Sequence, residues 1–231
     1  MAAKLTLLFD ADDTLWLNAT LFETALQEWQ HLLTESGVEN EAAYSLFKEL
    51  EERGFRRGWY GARRLEINMN AAARMLLPKN VAKTLIAPIA NIVDRVRKPE
   101  MLLFDGVHET LQYLGTHHQL LLVTMGEKDE QLVKINGSGL GHYFSSIHVL
   151  PDKTRQQYAH IIQEHRLNRR DSWMIGNSLS KDIRPARAAG LKTCHIDNGH
   201  DFNFGLTVDS IEADIVIDEF HRLGEIFSVE S

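Results

Sequence analysis

Three carboxylates stand together in Asp10-Ala11-Asp12-Asp13-Thr14, directly after the apolar run Leu5-Thr6-Leu7-Leu8-Phe9. A short apolar run bounded by polar residues reads as a buried strand. Carboxylates at the end of such a strand cost free energy unless something pairs with them, and hard divalent cations take oxygen ligands. Asp10 and Asp12 are two residues apart, so in an extended or slightly bulged segment they face the same side. Such a pair can divide into a nucleophile and a general acid/base. The competing reading is a solvated acidic turn.

Three further stretches carry candidate chemistry. Thr124-Met125-Gly126 follows the apolar run Leu120-Leu121-Leu122-Val123. A hydroxyl and free backbone N–H groups at a strand end can hold phosphate oxygens, unless Thr124 simply caps the next helix. Lys153 lies just past another strand candidate, in Leu150-Pro151-Asp152-Lys153-Thr154. An ammonium there can neutralise a phosphoryl group and a nucleophilic carboxylate together, or it can be an ordinary surface lysine. Finally, Trp173-Met174-Ile175-Gly176-Asn177-Ser178-Leu179-Ser180-Lys181-Asp182 reads as strand, glycine turn and helix start. Asn177 and Asp182 can present oxygens to a cation; alternatively Ser180 is the N-cap and Asp182 favours the positive helix end.

The elements that must position these residues fall into two textures. After the first strand, helical patterns dominate from about 19 to 97, with apolar residues such as Leu65, Met69, Ala72 and Leu76 at three- and four-residue spacing. Helices are expected from Asn18, as N-cap, to Gly37; over 41–53 with Gly54 as stop; over 61–77; and over 81–97 with Pro88 as a possible kink. From about residue 100, strand candidates at 120–124, 146–150, 172–176, 192–196 and 214–218 alternate with helical segments at 107–116, 127–137, 154–166 and 180–189. Buried strands alternating with helices imply a parallel sheet with right-handed crossovers. The expected fold is therefore α/β, with residues 1–16 and 100–231 forming the core and an all-helical insertion at 17–99. In an open α/β sheet, ligands bind at the carboxyl ends of the strands, where Asp10, Asp12, Thr124 and Gly176 all fall.

The order of these four elements resembles the haloacid dehalogenase superfamily of phosphohydrolases. That family shows a strand ending in Asp-x-Asp-x-Thr, a strand ending in Thr or Ser, a Lys, and an apolar strand followed by Gly-Asp and a further Asp. The run Ile183-x-x-Ala186-x-x-Ala189-Gly190-Leu191 is similar to the tail of its last motif. Two positions depart: Asp13 stands where Gly is most common, and Asn177 where Asp is usual.

The resemblance implies a Rossmann-like core with a helical type-1 cap and a small phosphorylated metabolite as substrate. Asp10 would be the nucleophile that forms an aspartyl-phosphate, and Asp12 the general acid/base. Thr124, the N–H groups of Met125 and Gly126, and Lys153 would hold the phosphoryl group. Asp10, the Asp12 backbone carbonyl, Asp182 and Asn177 would hold Mg2+, with waters completing the octahedron it prefers. Dehalogenation needs no acid for its halide leaving group, and the dehalogenase branch typically lacks an acid at the second Asp; Asp12 thus favours phosphoryl chemistry. The alternatives are a phosphotransferase or mutase, a dehalogenase, or a catalytically weak module that binds phosphorylated ligands or a protein partner.

The stretch Arg53-Gly54-Phe55-Arg56-Arg57-Gly58-Trp59-Tyr60-Gly61-Ala62-Arg63-Arg64 is basic and aromatic. Arg56, Arg57 or Arg63 could meet a second anionic group and Trp59 or Tyr60 could stack on a ring. The alternative is that the arginines pair with Glu49, Glu51, Glu52 and Glu66. A net charge of −7 argues against general nucleic-acid binding. The single Cys194, the lack of an apolar run near the roughly 18 residues of a membrane span, and an N-terminus without a signal pattern make the cytoplasm the expected location. The 11 histidines show no ligand spacing such as His-Glu-x-x-His and are read as surface or cap residues. No coiled-coil repeat or interface pattern bears on oligomeric state.

Overall fold

The computed structural model describes residues 4–56, 61–200 and 212–229, the side chains at 55 and 56 excepted. The chain divides into two compact units, Met1–Ala19 with Met101–Ser231, and Thr20–Glu100.

The first unit begins with β1 (Thr6–Phe9). The helical unit then carries α1 (Ala19–Glu35), α2 (Asn40–Arg56), α3 (Ala62–Leu76), α4 (Lys79–Thr84) and α5 (Ile86–Arg97). The chain continues through α6 (Val107–His117), β2 (Gln119–Met125), α7 (Lys128–Ser138), β3 (Ser146–Leu150), α8 (Arg155–Glu164), β4 (Ser172–Gly176), α9 (Arg184–Ala188), β5 (Lys192–Ile196), β6 (Ile215–Ile217) and α10 (Leu223–Ile226). The six strands form one sheet in the order β3-β2-β1-β4-β5-β6, and every pairing is parallel. The expected α/β class is what the chain adopts.

Alternation along the strands separates the two faces of the sheet. Leu7 and Phe9 of β1 join Leu120, Leu122 and Ile175 in one cluster with Val107, Leu111 and Leu114 of α6. Leu8 joins Leu121, Val123 and Met174 in another, with Tyr158, Ile161 and Ile162 of α8. A strand buried on both faces has no polar side to turn outward, which is why β1 and β2 read as continuous apolar runs. The register pairs Phe9 with Leu122 on one side and with Ile175 on the other, so β1, β2 and β4 end side by side.

The helical unit packs around its own core, with Trp29, Leu33, Phe47, Leu65, Met69, Ile89 and Val93 buried in it. Two expectations there fail for physical reasons. Gly54 does not stop α2 but lies inside it, where a Cβ would come within 2.8 Å of the Arg64 side chain; the glycine makes room for that neighbour. The helix expected over 81–97 breaks at Leu85, three residues before Pro88, which instead occupies the first turn of α5, where no N–H is needed. Two arginines of the basic stretch pair as the alternative reading had it, Arg53 with Glu49 and Arg64 with Glu51, the latter pair buried, whereas Glu66 pairs with Arg97. Arg57, Trp59 and Tyr60, and the side chain of Arg56, lie outside the described residues. No described helix is long and apolar enough to cross a membrane.

Candidate active site

Asp10 continues the sheet one residue beyond β1, its N–H donated to the Ile175 carbonyl at 2.9 Å. Asp10 as a whole is 6% exposed. One oxygen is paired with the Lys153 ammonium, and the other accepts from the Thr14 hydroxyl at 3.1 Å. Burial pushes the Asp10 pKa from 3.8 up to about 7; the nearby Asp182 adds to this and Lys153 opposes it.

Lys153 reaches the centre from the loop after β3 and is itself buried, so it is no surface lysine. Its ammonium also donates to Asp182 Oδ1 at 2.6 Å. Desolvation penalises that charge, but Asp10 and Asp182 outweigh it and raise its pKa. Asp182 is 0% exposed and sits in one wide helical turn, Leu179–Ile183, after β4. Its Oδ2 accepts from the Ser178 N–H at 3.0 Å. The carboxylate lies so close over Gly176 that a Cβ there would be 2.4 Å from Oδ2, so this turn requires glycine. Ser178, not Ser180, caps the turn, accepting from the Lys181 N–H.

Asn177 places its amide by a bond that a carboxylate could not make. Its Nδ2 donates to the His200 carbonyl at 2.6 Å, which leaves Oδ1 facing Thr14 Oγ1 at 3.1 Å. The Asn177 N–H donates to the same hydroxyl at 3.1 Å. Thr14 carries one proton for two acceptors, Asp10 Oδ2 and Asn177 Oδ1, and so serves one at a time.

Asp12 belongs to a different set of partners. Trp16 Nε1 donates to Oδ1 at 2.7 Å, Gln131 Nε2 to Oδ2 at 2.9 Å, and Lys134 Nζ to both oxygens at 2.9 Å. Burial pushes the Asp12 pKa up, yet the Lys134 charge and these three donors together hold it below 3.8. Gln131 and Lys134 are both 4% exposed and sit one turn apart on α7. Sequence reasoning missed them. The available signal was two polar residues at i,i+3 on the helix that follows Thr124, on the side where Ile135 is buried.

Asp13 does more than turn the chain. It adopts φ 59°, in the left-handed region that Asp tolerates better than most residues. Its carboxylate accepts the N–H groups of Asn18 and Ala19 at 2.8 Å and so caps α1. Asn18, the expected N-cap, instead turns its Oδ1 to Lys134 at 2.7 Å. Burial lifts the Asp13 pKa to about 6, against those two backbone donors.

At the end of β2, Thr124 is 1% exposed and donates to Gln131 Oε1 at 3.2 Å, so it does not cap α7. Gly126, at φ 140°, donates its N–H to the Leu150 carbonyl at 3.0 Å. The expectation of a free Gly126 N–H for phosphate is corrected here: the sheet ladder continues one residue past β2 and takes that donor. The Met125 carbonyl accepts from Gln131 Nε2 at 3.1 Å.

The cluster thus sets two buried carboxylates, Asp10 and Asp182, against one ammonium. Asn177 Oδ1 adds a further oxygen acceptor through the Thr14 hydroxyl it shares with Asp10. That donor chemistry and the uncompensated charge fit a hard divalent cation.

Comparison with known proteins agrees with this geometry. The sequence profile of haloacid dehalogenase-like hydrolases matches residues 5–190. Over 198 residues, 83% of each chain, the protein is 25% identical to the glyceraldehyde 3-phosphate phosphatase of Methanopyrus kandleri. It is 31% identical to HAD-hydrolase YfnB of Bacillus subtilis over 98 residues, 40% of this chain and 42% of that one. The solved structure of magnesium-bound YfnB superposes with a TM-score of 0.68 at 21% identity, over 99% of this chain and 100% of that one. A haloacid dehalogenase-like family hydrolase from Xanthomonas campestris superposes with a TM-score of 0.76 at 22% identity, over 97% of this chain and 95% of that one. These superpositions show the shared fold, and the profile match over most of the chain shows the family: the protein is a hydrolase of the haloacid dehalogenase superfamily.

Proposed function

We propose that the protein hydrolyses phosphomonoesters of a small phosphorylated metabolite in a Mg2+-dependent reaction. The observation that carries this reading is the division of two neighbouring carboxylates between separate partners. Asp10 shares Lys153 with Asp182, whereas Asp12 is held by Trp16, Gln131 and Lys134.

In this reading Asp10 attacks phosphorus, forming an aspartyl-phosphate as the bond to the ester oxygen breaks. Asp12 gives its proton to that oxygen. Asp12 then takes a proton from the water that cleaves the aspartyl-phosphate to inorganic phosphate. Asp12 is ionised in the free protein and takes up the proton it donates from solvent as substrate binds, because a phosphate dianion beside it raises its proton affinity, as any like charge does. Lys153 offsets charge on the transferring oxygens, and Thr124 with the Met125 N–H holds them. Asp10, Asp182, Asn177 Oδ1 and the Asp12 carbonyl would hold Mg2+, which supplies further positive charge to those oxygens.

The likeness to a glyceraldehyde 3-phosphate phosphatase supports phosphoryl chemistry. The acid at Asp12 supports it over dehalogenation, since a halide leaves without a proton. A mutase would pass the phosphoryl group from Asp10 to a second hydroxyl instead of water. We assign residues 1–16 and 100–231 to the catalytic core in the cytoplasm, and residues 17–99 to a cap that selects the substrate.

A p-nitrophenyl phosphate assay tests the proposal. Wild type should turn over with Mg2+ and lose activity in EDTA, and Asp10→Asn should lose at least about 10³-fold while remaining folded. A folded, Mg2+-loaded wild type without activity on any phosphomonoester would favour a binding module.

A further inference from the structure

The histidines, expected to be scattered surface residues, prove to include one pair placed side by side. His148 Nε2 and His165 Nε2 are 2.9 Å apart. His148 lies on the edge strand β3, on the same side as Ser146 and Leu150; His165 directly follows α8. Glu164, the last residue of α8, brings Oε1 within 3.9 Å of His165 Nε2. One ligand atom from each of the three lies within 4.8 Å of the others, and no other His, Cys, Asp and Glu set among the described residues does this.

We propose that His148, His165 and Glu164 bind a borderline divalent transition-metal ion, of the Zn2+ class, with a fourth position open to water. Two imidazole nitrogens at 2.9 Å cannot both carry protons on the facing atoms, so at least one lone pair points into the gap. A tetrahedral ion with bonds of about 2.0–2.1 Å needs its ligand atoms about 3.3 Å apart. Two of the three separations, 2.9 Å and 3.9 Å, lie on either side of that value and the third is within 4.8 Å, so rotation of the exposed Glu164 side chain is what the site requires. Two nitrogens and one carboxylate suit Zn2+, Co2+ or Ni2+ and do not suit Mg2+, whose ligands are oxygens. Both histidines are half-buried and Glu164 is exposed, so an ion can enter from solvent.

The bound ion would staple the sheet edge to the end of α8, the helix that contributes Tyr158, Ile161 and Ile162 to the core. This site is separate in residues and in ligand chemistry from the Asp10 cluster, and the inference stands whether or not the phosphatase reading does.

The test is a Co2+ titration of the whole apo protein with millimolar Mg2+ present to occupy the carboxylate cluster, read by the visible ligand-field absorption and repeated with Zn2+ in competition. The expected result is one Zn2+-displaceable Co2+ per chain. Affinity should fall more than about 100-fold in each of His148→Ala and His165→Ala and less in Glu164→Gln, and stay unchanged in Asp182→Asn. Zn2+ should also raise the Tm of wild type and not of the two histidine variants. Absence of Co2+ binding by wild type would overturn the proposal. So would binding that survives both histidine substitutions or disappears in Asp182→Asn.

Discussion

Lys134 Nζ stands 2.9 Å from both carboxylate oxygens of Asp12, although the two residues are 122 positions apart in the chain. This contact, with Gln131 beside it, fixes which way the Asp12 carboxylate points and favours its ionised form. Lys134 also accepts a role at the entry to α1, donating to Asn18 Oδ1.

Replacing Lys134 with Met should therefore act through Asp12. The side-chain volume is kept, the charge is lost, and the Asp12 pKa rises. We expect kcat to fall about 10- to 100-fold, part of what a positioned acid/base supplies. The pH–rate profile should move to higher pH. A rate loss with an unmoved profile would mean that Lys134 serves only stability.

Asp10 and Asp13 make the metal-free protein sensitive to pH. Their folded pKa values, about 7 and about 6, lie above the ordinary 3.8. Between those values the folded state holds protons that the unfolded chain has released. The stability they contribute is therefore full below about pH 4 and is lost as pH rises through 6 and 7. In EDTA, Asp10→Asn should become more stable than wild type as pH rises from 5 to 8, and Mg2+ should narrow that difference by stabilising wild type. Melting curves across this range check it; a pH-independent difference would contradict the assignment.

Gly176 should not tolerate a side chain. Alanine there would place Cβ 2.4 Å from Asp182 Oδ2 and displace the carboxylate from Lys153. We expect Gly176→Ala to lose about 1–3 kcal/mol of stability, visible as a lower Tm. More Mg2+ should be needed for half-maximal activity.

Asn177→Asp separates charge from hydrogen bonding at one position. The added charge should tighten Mg2+ binding. The His200 carbonyl, which now accepts from Nδ2 at 2.6 Å, would face a carboxylate oxygen instead. Loss of that bond should lower the metal-free stability by about 1–3 kcal/mol. The Mg2+ concentration for half-maximal activity and the Tm in EDTA, measured together, should therefore both fall.

Much of this protein is legible in the order of its residues. Apolar runs buried on both faces marked β1 and β2, and β3, β4 and β5 begin and end where the sequence placed their strand candidates. The Asp-x-Asp-x-Thr stretch, Thr124, Lys153 and the Gly176–Asp182 segment were found because strand ends of a parallel sheet are where polar groups can converge, and β1 lies at the centre. Lys153 and Asp182 do meet Asp10 there. Tertiary structure alone decided how the donors were shared. Gln131 and Lys134 were not singled out, because a sequence shows a helix face but not what packs on it. Gly126 lost its expected free N–H to Leu150, because pairing past the end of β2 depends on the neighbouring strand. His148 and His165 carry no motif, because a β–α crossover joins residues whose spacing has no fixed period. Local pattern determines elements and their order; which side chains share a proton or an ion is set by distances that only the packed sheet defines.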